Sequence, residues 1–397
     1  MPIVGGNLSW KPKDIVNQTQ DEDSNKLRTE WGNLKTWDFE FLLVHEGWEN
    51  IPSEFEKWGK LPIFKSIKEL RRDSYGIWLK LEGRNTPYTA LVLPYLATRD
   101  ISNLARHTKI SKACLESEGL HLPMSGLMLD DCDAMLVWEG ELDFKLPKFS
   151  NEKIGEIASK LGKLVSNLAE FSTPNNQAGW NNRLKNCEAD LNVNTLWRAP
   201  HSSDTVGLPW IGVSLEYYDS NLSKFVSMPP KYTEFLTMEA QRLPAFSWWG
   251  RVEGDLVSKG LVETKDLPFV FDLFAKELPK NWTSKAAMST YAGGLWIWRY
   301  EDILLRLAHA RAYGDSEMES KCKKWLDDVD RMQAKMGVSR MFRSMNWVAA
   351  FAVVSILYSQ QNDWISQMSG NIGIGISLLV AVLGTTIYKL KDPPAFK

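Results

Sequence analysis

Apolar positions along this chain fall into three regimes, and each predicts a different kind of element. Between residues 36 and 140 they come as short runs at 39–44, 61–67, 75–81, 89–96, 125–129 and 134–138. Turn-forming stretches at 82–87 and 130–133, rich in Gly, Asn and Asp, separate several of them as hairpin connections do. The pattern predicts a small antiparallel sheet with one helix inserted over about residues 100–118. From Ser150 the spacing changes. Ile154, Ile157, Leu161, Leu164, Val165 and Leu168 recur every three or four residues, one face of a helix with Ser150 or Asn151 as its N-cap. Residues 175–245 are polar and aromatic, broken by Pro200, Pro209, Pro229, Pro230 and Pro244, and read as helices joined by loops. Helical patterns over 296–313 and 316–336 follow, the second so charged that it reads as a solvated stalk.

The third regime is the C-terminal one. Residues 372–388 carry no charge, and a helix of that length reaches roughly 26 Å, close to the ~30 Å of a bilayer's hydrocarbon layer. The run at 347–358 is shorter, holds Ser355, and needs its flanks from 343 to 360 to cross. The connector at 360–371 has no Lys or Arg, whereas Lys335, Arg340 and Arg343 precede the pair and Lys389, Lys391 and Lys397 follow it. A two-pass hairpin with both ends cytoplasmic is expected from that asymmetry. Trp347, Tyr358, Trp364 and Tyr388 stand where interfacial aromatics belong. The competing reading is a buried helical hairpin of a soluble protein.

Composition narrows the classes. A formal net charge of -2 gives no basic field, so nucleic acid is not an expected partner. The 18 tryptophans follow no repeat, and the four cysteines are scattered without metal-ligand spacing, reading as reduced thiols. Residues 1–23 are polar with neither an apolar core nor a cleavage motif, so no leader is expected there. The resulting organisation is a mobile arm over 1–35, a sheet-rich lobe over 36–140, a helical lobe over 141–314, a stalk over 315–340 and the membrane hairpin over 341–397.

A small sheet with one helix, then a long helix, then a helical body is the order of a two-lobed kinase. The segment Val252-Glu-Gly-Asp-Leu-Val-Ser-Lys-Gly-Leu-Val262, a short linker, and Leu267-Pro-Phe-Val-Phe-Asp272 sharpen the likeness. They resemble the aminoglycoside-phosphotransferase-like kinase family, whose catalytic segment reads H-G-D-L-x-x-x-N-x-L and is followed by a strand ending in I-D. The resemblance spans about residues 60–310 and implies an α+β, protein-kinase-like fold followed by the transmembrane hairpin. It implies Asp255 as the catalytic base, Asp272 as the magnesium ligand, a strand over 269–271, and Mg-ATP as cofactor; such chemistry needs one carboxylate at the substrate hydroxyl and another at the metal. The family's hinge falls at Glu139, and Lys80 is the candidate for a relocated nucleotide-gripping lysine.

The departures are specific. Glu253 stands at the motif's histidine, Gly260 at its asparagine, Leu93 or Pro94 at the strand lysine, and His107 at the helix glutamate. They leave open a catalytically dead kinase fold, a divergent kinase, or an unrelated fold. The function expected is a membrane-anchored cytoplasmic pseudokinase that binds or scaffolds a protein or small-molecule partner at the bilayer. An active small-molecule or protein kinase, and an effector whose hairpin perturbs the bilayer, are the alternatives. Arg183, Glu188 and His201 sit among aromatic and charged neighbours; a solvated helix face accounts for the first two, and no nucleophile motif accompanies His201. Trp248, Trp249, Trp296 and Trp298 read as core.

Overall fold

The computed structural model describes residues 26–29, 32–96, 100–107, 114–143, 150–193, 205–237, 242–288 and 294–390. It is a mixed α+β molecule with a six-stranded antiparallel sheet lobe, a helical region after it, and two long apolar helices at the end. His201 lies outside the described residues.

The strands run β1 (Lys26–Thr29), β2 (Gly32–Lys35), β3 (Glu56–Gly59), β4 (Phe64–Arg72), β5 (Ile77–Gly83), β6 (Pro87–Val92), β7 (Leu120–His121), β8 (Ser125–Leu129) and β9 (Cys132–Glu139). The large sheet has the order β3-β8-β9-β6-β5-β4. Its central strands are buried on both sides, and the two-residue period sorts their side chains. Ile77, Leu79, Leu81, Ala90, Val92, Met135 and Val137 pack with Leu34, Trp37, Leu42, Trp48 and Phe55 of the N-terminal segment. Trp78, Leu91, Leu136 and Trp138 point the other way, toward Ile101, Ala105, Tyr217 and Met228. The 39–44 run is therefore not a strand: Glu40–Leu43 is a 3-10 turn that covers the sheet. Its aromatics cluster too densely with Trp37 and Phe55 to lie along a ladder. Part of the arm expected to be mobile is likewise structured, since β1 and β2 form a ribbon and Leu34 is buried.

The inserted helix α1 (Asp100–His107) is followed by α2 (Asn151–Asn167), whose Ser150 side chain accepts from the Lys153 amide as the N-cap. Next come α3 (Gln177–Asp190), the short strands β10 (Tyr218–Asp219) and β11 (Lys224–Val226), α4 (Ala245–Ser258), α5 (Leu267–Ala275) and α6 (Gly294–Tyr313). The apolar face of α2 packs with Trp248, Trp249, Phe271 and Phe274 into the main core of this half. Trp296 and Trp298 are buried as well. Arg183, expected on a solvated face, is instead buried in a two-pronged pair with Glu301, at 2.7 and 3.0 Å. Glu188 accepts from the Tyr300 hydroxyl at 2.6 Å. Burying a guanidinium requires a paired counter-charge, and the pair ties α3 to α6.

Two expectations around the kinase-like segment are corrected. Residues 252–258 lie within α4, and 269–271 lie within α5 rather than on a strand. Asp266 precedes α5 and Pro268 occupies its first turn, where a missing N–H costs nothing. Gly260 closes the stretch after α4 with φ +63°, a conformation an asparagine tolerates but glycine prefers.

The last two helices are α7 (Ser316–Gln361) and α8 (Gln367–Leu390). Both are long and apolar enough to cross a membrane, the apolar part of each being largely exposed. The segments expected as stalk and first pass are one continuous helix of 46 residues. The stalk half is not free in solvent: Cys322, Val329, Met332 and Met336 are buried against Trp296, Tyr300, Leu304 and Leu307 of α6.

Candidate functional site

A polar concavity lies where the sheet lobe, the helical body and the base of α7 meet. It is a cavity of about 220 Å³ whose walls include Tyr75 from the β4–β5 turn, Trp210, Glu216 and Lys231 from loops, Arg251 and Asp255 of α4, and Asp302, Arg306 and His309 of α6. Asp315 and Met318, the N-cap and first turn of α7, complete it.

The ionic groups are arranged in three sets. Arg306 donates to Asp302 at 2.6 Å and to Asp255 at 2.8 Å, and also to the Arg251 carbonyl. One guanidinium thus serves two carboxylates. Burial pushes the Asp302 carboxyl up to about 6, against the pull of Arg306 and with Asp255 adding repulsion. Burial alone would lower the Arg306 pKa, but the two aspartates outweigh it and hold the group charged. The second set is Glu216, 3.2 Å from Lys259 and 3.8 Å from Lys231. Lys231 above all, then Lys259 and Arg306, draw its carboxyl down to about 2 despite desolvation. In the third, Arg251 donates to Glu234 at 2.6 Å and lies 4.5 Å from the centre of the Trp210 ring. Burial keeps His309 neutral by driving its pKa well below the usual imidazole value, with the Lys231 charge adding to the effect.

Chain geometry explains the crowding. Asp302, Arg306 and His309 follow at helical spacing along α6, and Gly254 of α4 lets the two helices meet there. A Cβ at Gly254 would stand 2.0 Å from Asp302 Oδ2 and 2.7 Å from Arg306 Nη2. Asp255 also anchors the loop above, since its Oδ2 accepts from the Ser214 hydroxyl at 2.8 Å and the Leu215 amide at 2.9 Å. That loop carries Tyr217, whose hydroxyl donates to Asp73 in the sheet lobe at 3.0 Å.

Of the four residues singled out by the kinase resemblance, only Asp255 lines this cavity. Asp272 is exposed on α5. Lys80 reaches Glu141 at 2.5 Å from β5, and Glu139 is exposed at the end of β9. Glu253, at the motif's histidine, is buried and accepts from Trp249 and Arg299. Residues that sequence reasoning passed over, namely Asp302, Arg306, Glu216, Lys231 and His309, supply most of the polar wall. A signal for two of them existed: Asp302 and Arg306 stand at i, i+4 on the helical pattern over 296–313. Among the described residues no group of three or more His, Cys, Asp or Glu side chains is placed to hold a metal ion.

No family model, no curated protein and no solved structure matches this chain.

Proposed function

We propose that this is a membrane-anchored binding module: a kinase-like cytoplasmic body, without phosphotransfer activity, held at the bilayer surface by α7 and α8. The observation that carries it is the state of Asp255. The carboxylate at the position of the catalytic base sits within a helix and has both oxygens engaged, by Arg306 on one side and by Ser214 and Leu215 on the other. A general base must reach the proton it removes, and such a group is a structural anchor instead. The order of elements, with a sheet lobe containing one inserted helix and then a helical body, favours the kinase-like lineage. The cavity of about 220 Å³ is smaller than the ~300–1,000 Å³ typical of drug-sized ligands, which favours something smaller than a nucleotide. The Lys and Arg residues flanking the hairpin, and their absence from its connector, support the cytoplasmic side.

The test is a thermal-unfolding assay on the full chain in detergent with millimolar Mg-ATP. No stabilisation is expected. A rise in Tm that disappears in Asp272→Ala would favour an active, divergent kinase and overturn this reading.

A further inference from the structure

The cavity's charge is unevenly shared between its walls. On the loop side, Glu216 is faced by Lys231 of the cavity wall and, from outside the lining at the end of α4, by Lys259. The Lys231 ammonium stands 3.8 Å from Glu216, beyond hydrogen-bond length, so it keeps donor capacity for another acceptor. It lies 5.6 Å from the centre of the Tyr75 ring, which forms part of the same wall. On the helix side the balance reverses. Asp255 and Asp302 share Arg306, and Asp315 adds a further carboxylate, using Oδ1 to cap the Met318 amide at 3.0 Å. Arg251 does not correct this, because Glu234 holds it. A simple anion would meet the acidic wall, and a simple cation the basic one.

We propose that this cavity binds a small zwitterion of amino-acid size, its carboxylate at Lys231 and its ammonium at the Asp315 side. The proposal rests on the reading of the body as a binding module. The volume suits such a ligand, and Trp210 supplies an apolar surface for its side chain or methylene groups. Because Asp315 is the N-cap of α7, the ammonium would touch the first turn of the helix that runs on into the hairpin. Occupancy is therefore reported directly at the start of the membrane-anchoring element.

The test is calorimetric titration and thermal unfolding of the full chain in nanodiscs, with the α-amino acids and glycine betaine as probes. Acetate and methylammonium serve as single-charge controls. At least one zwitterion is expected to bind at millimolar concentration or tighter and to raise Tm, with the controls inert. Lys231→Met and Asp315→Asn should each weaken it by about tenfold or more, the usual scale for a charge-assisted hydrogen bond. Lys323→Met, on the solvated face of α7, should leave it unchanged, and the unliganded Tm of each variant checks its folding. No binding by any probe, equal binding of the controls, or affinity that survives both substitutions in folded protein would overturn the proposal. Mg-ATP in the same assay separates the two readings. Stabilisation by Mg-ATP that disappears in Asp272→Ala removes the module reading, whereas silence from every zwitterion probe removes only the zwitterion.

Discussion

Asp302 is the residue whose environment has the clearest thermodynamic consequence. Its folded pKa is raised from 3.8 to about 6, so the fold binds its proton more tightly than the unfolded chain does. The associated stability is fully present below about pH 3.8 and is lost as pH rises through about 6, a span worth about 3 kcal/mol. Glu216 acts in the opposite sense: its lowered pKa contributes stability above about pH 4.5 that is lost as pH falls toward 2. Stability from these two groups should then peak near about pH 4, and Asp302→Asn should flatten the decline between about pH 4 and 6, as followed by Tm across a buffer series. An unchanged slope would show that Asp302 does not titrate there. Gly254→Ala tests the same node by packing. Its methyl would displace Asp302 or Arg306, both held by partners, so destabilisation of about 1–3 kcal/mol is expected, seen as a lower Tm. Of this node, Asp255 was legible from its motif, but its partner was not. Neighbours on α4 cannot reveal that Arg306, 51 positions later, occupies it.

At the scale of elements, small and polar residues contribute to closing the hairpin, as expected where lipid is as apolar as a leucine side chain. Asn346 and Thr385 exchange hydrogen bonds at 2.8 and 3.2 Å, and Arg343 reaches the Tyr388 hydroxyl at 3.3 Å. Gly384 brings α8 against the Phe342 carbonyl, where a Cβ would approach within 2.6 Å, while a Cβ at Gly375 would meet nothing. Gly384→Leu should therefore separate the helices and lower the yield of a disulfide engineered between Ile356→Cys and Gly373→Cys in membranes. Gly375→Leu should not. Asn346→Leu should have a smaller effect, about 0.6 to 2 kcal/mol of helix association. Other elements show how local signals compete. The Asp266-Leu-Pro268 start and the Gly260 stop are helix-boundary signals in the sequence, and they, rather than a catalytic loop and strand, describe what forms there. The β5, β6 and β9 strands were legible because each alternates or runs apolar between turn residues. β3 was missed because only Trp58 of its four residues is buried.

At the scale of the whole molecule, α7 joins body and hairpin into one mechanical unit. Met336 is the last of its residues buried against the α6 cluster, and 25 further residues, about 38 Å of helix, lead to Gln361. The body is thus joined to the apolar hairpin by a rigid helix rather than by a flexible tether. Truncation after residue 340 should yield a soluble monomer on gel filtration. Truncation after residue 314, the apparent lobe boundary in the sequence, should aggregate, because it uncovers Trp296, Tyr300 and Leu304. Equal solubility of the two would show that the stalk is dispensable to the fold. What the sequence determined by itself is what depends on neighbours a few positions apart: the sheet strands with strong alternation, the α2 face and its cap, the apolar length of the last helix. The tertiary structure alone decided which charges are buried and with whom. Arg183 with Glu301, Arg306 with Asp255 and the stalk with α6 are all settled by desolvation, which makes an unpaired charge or an uncovered apolar face too costly wherever chain topology happens to bring distant segments together.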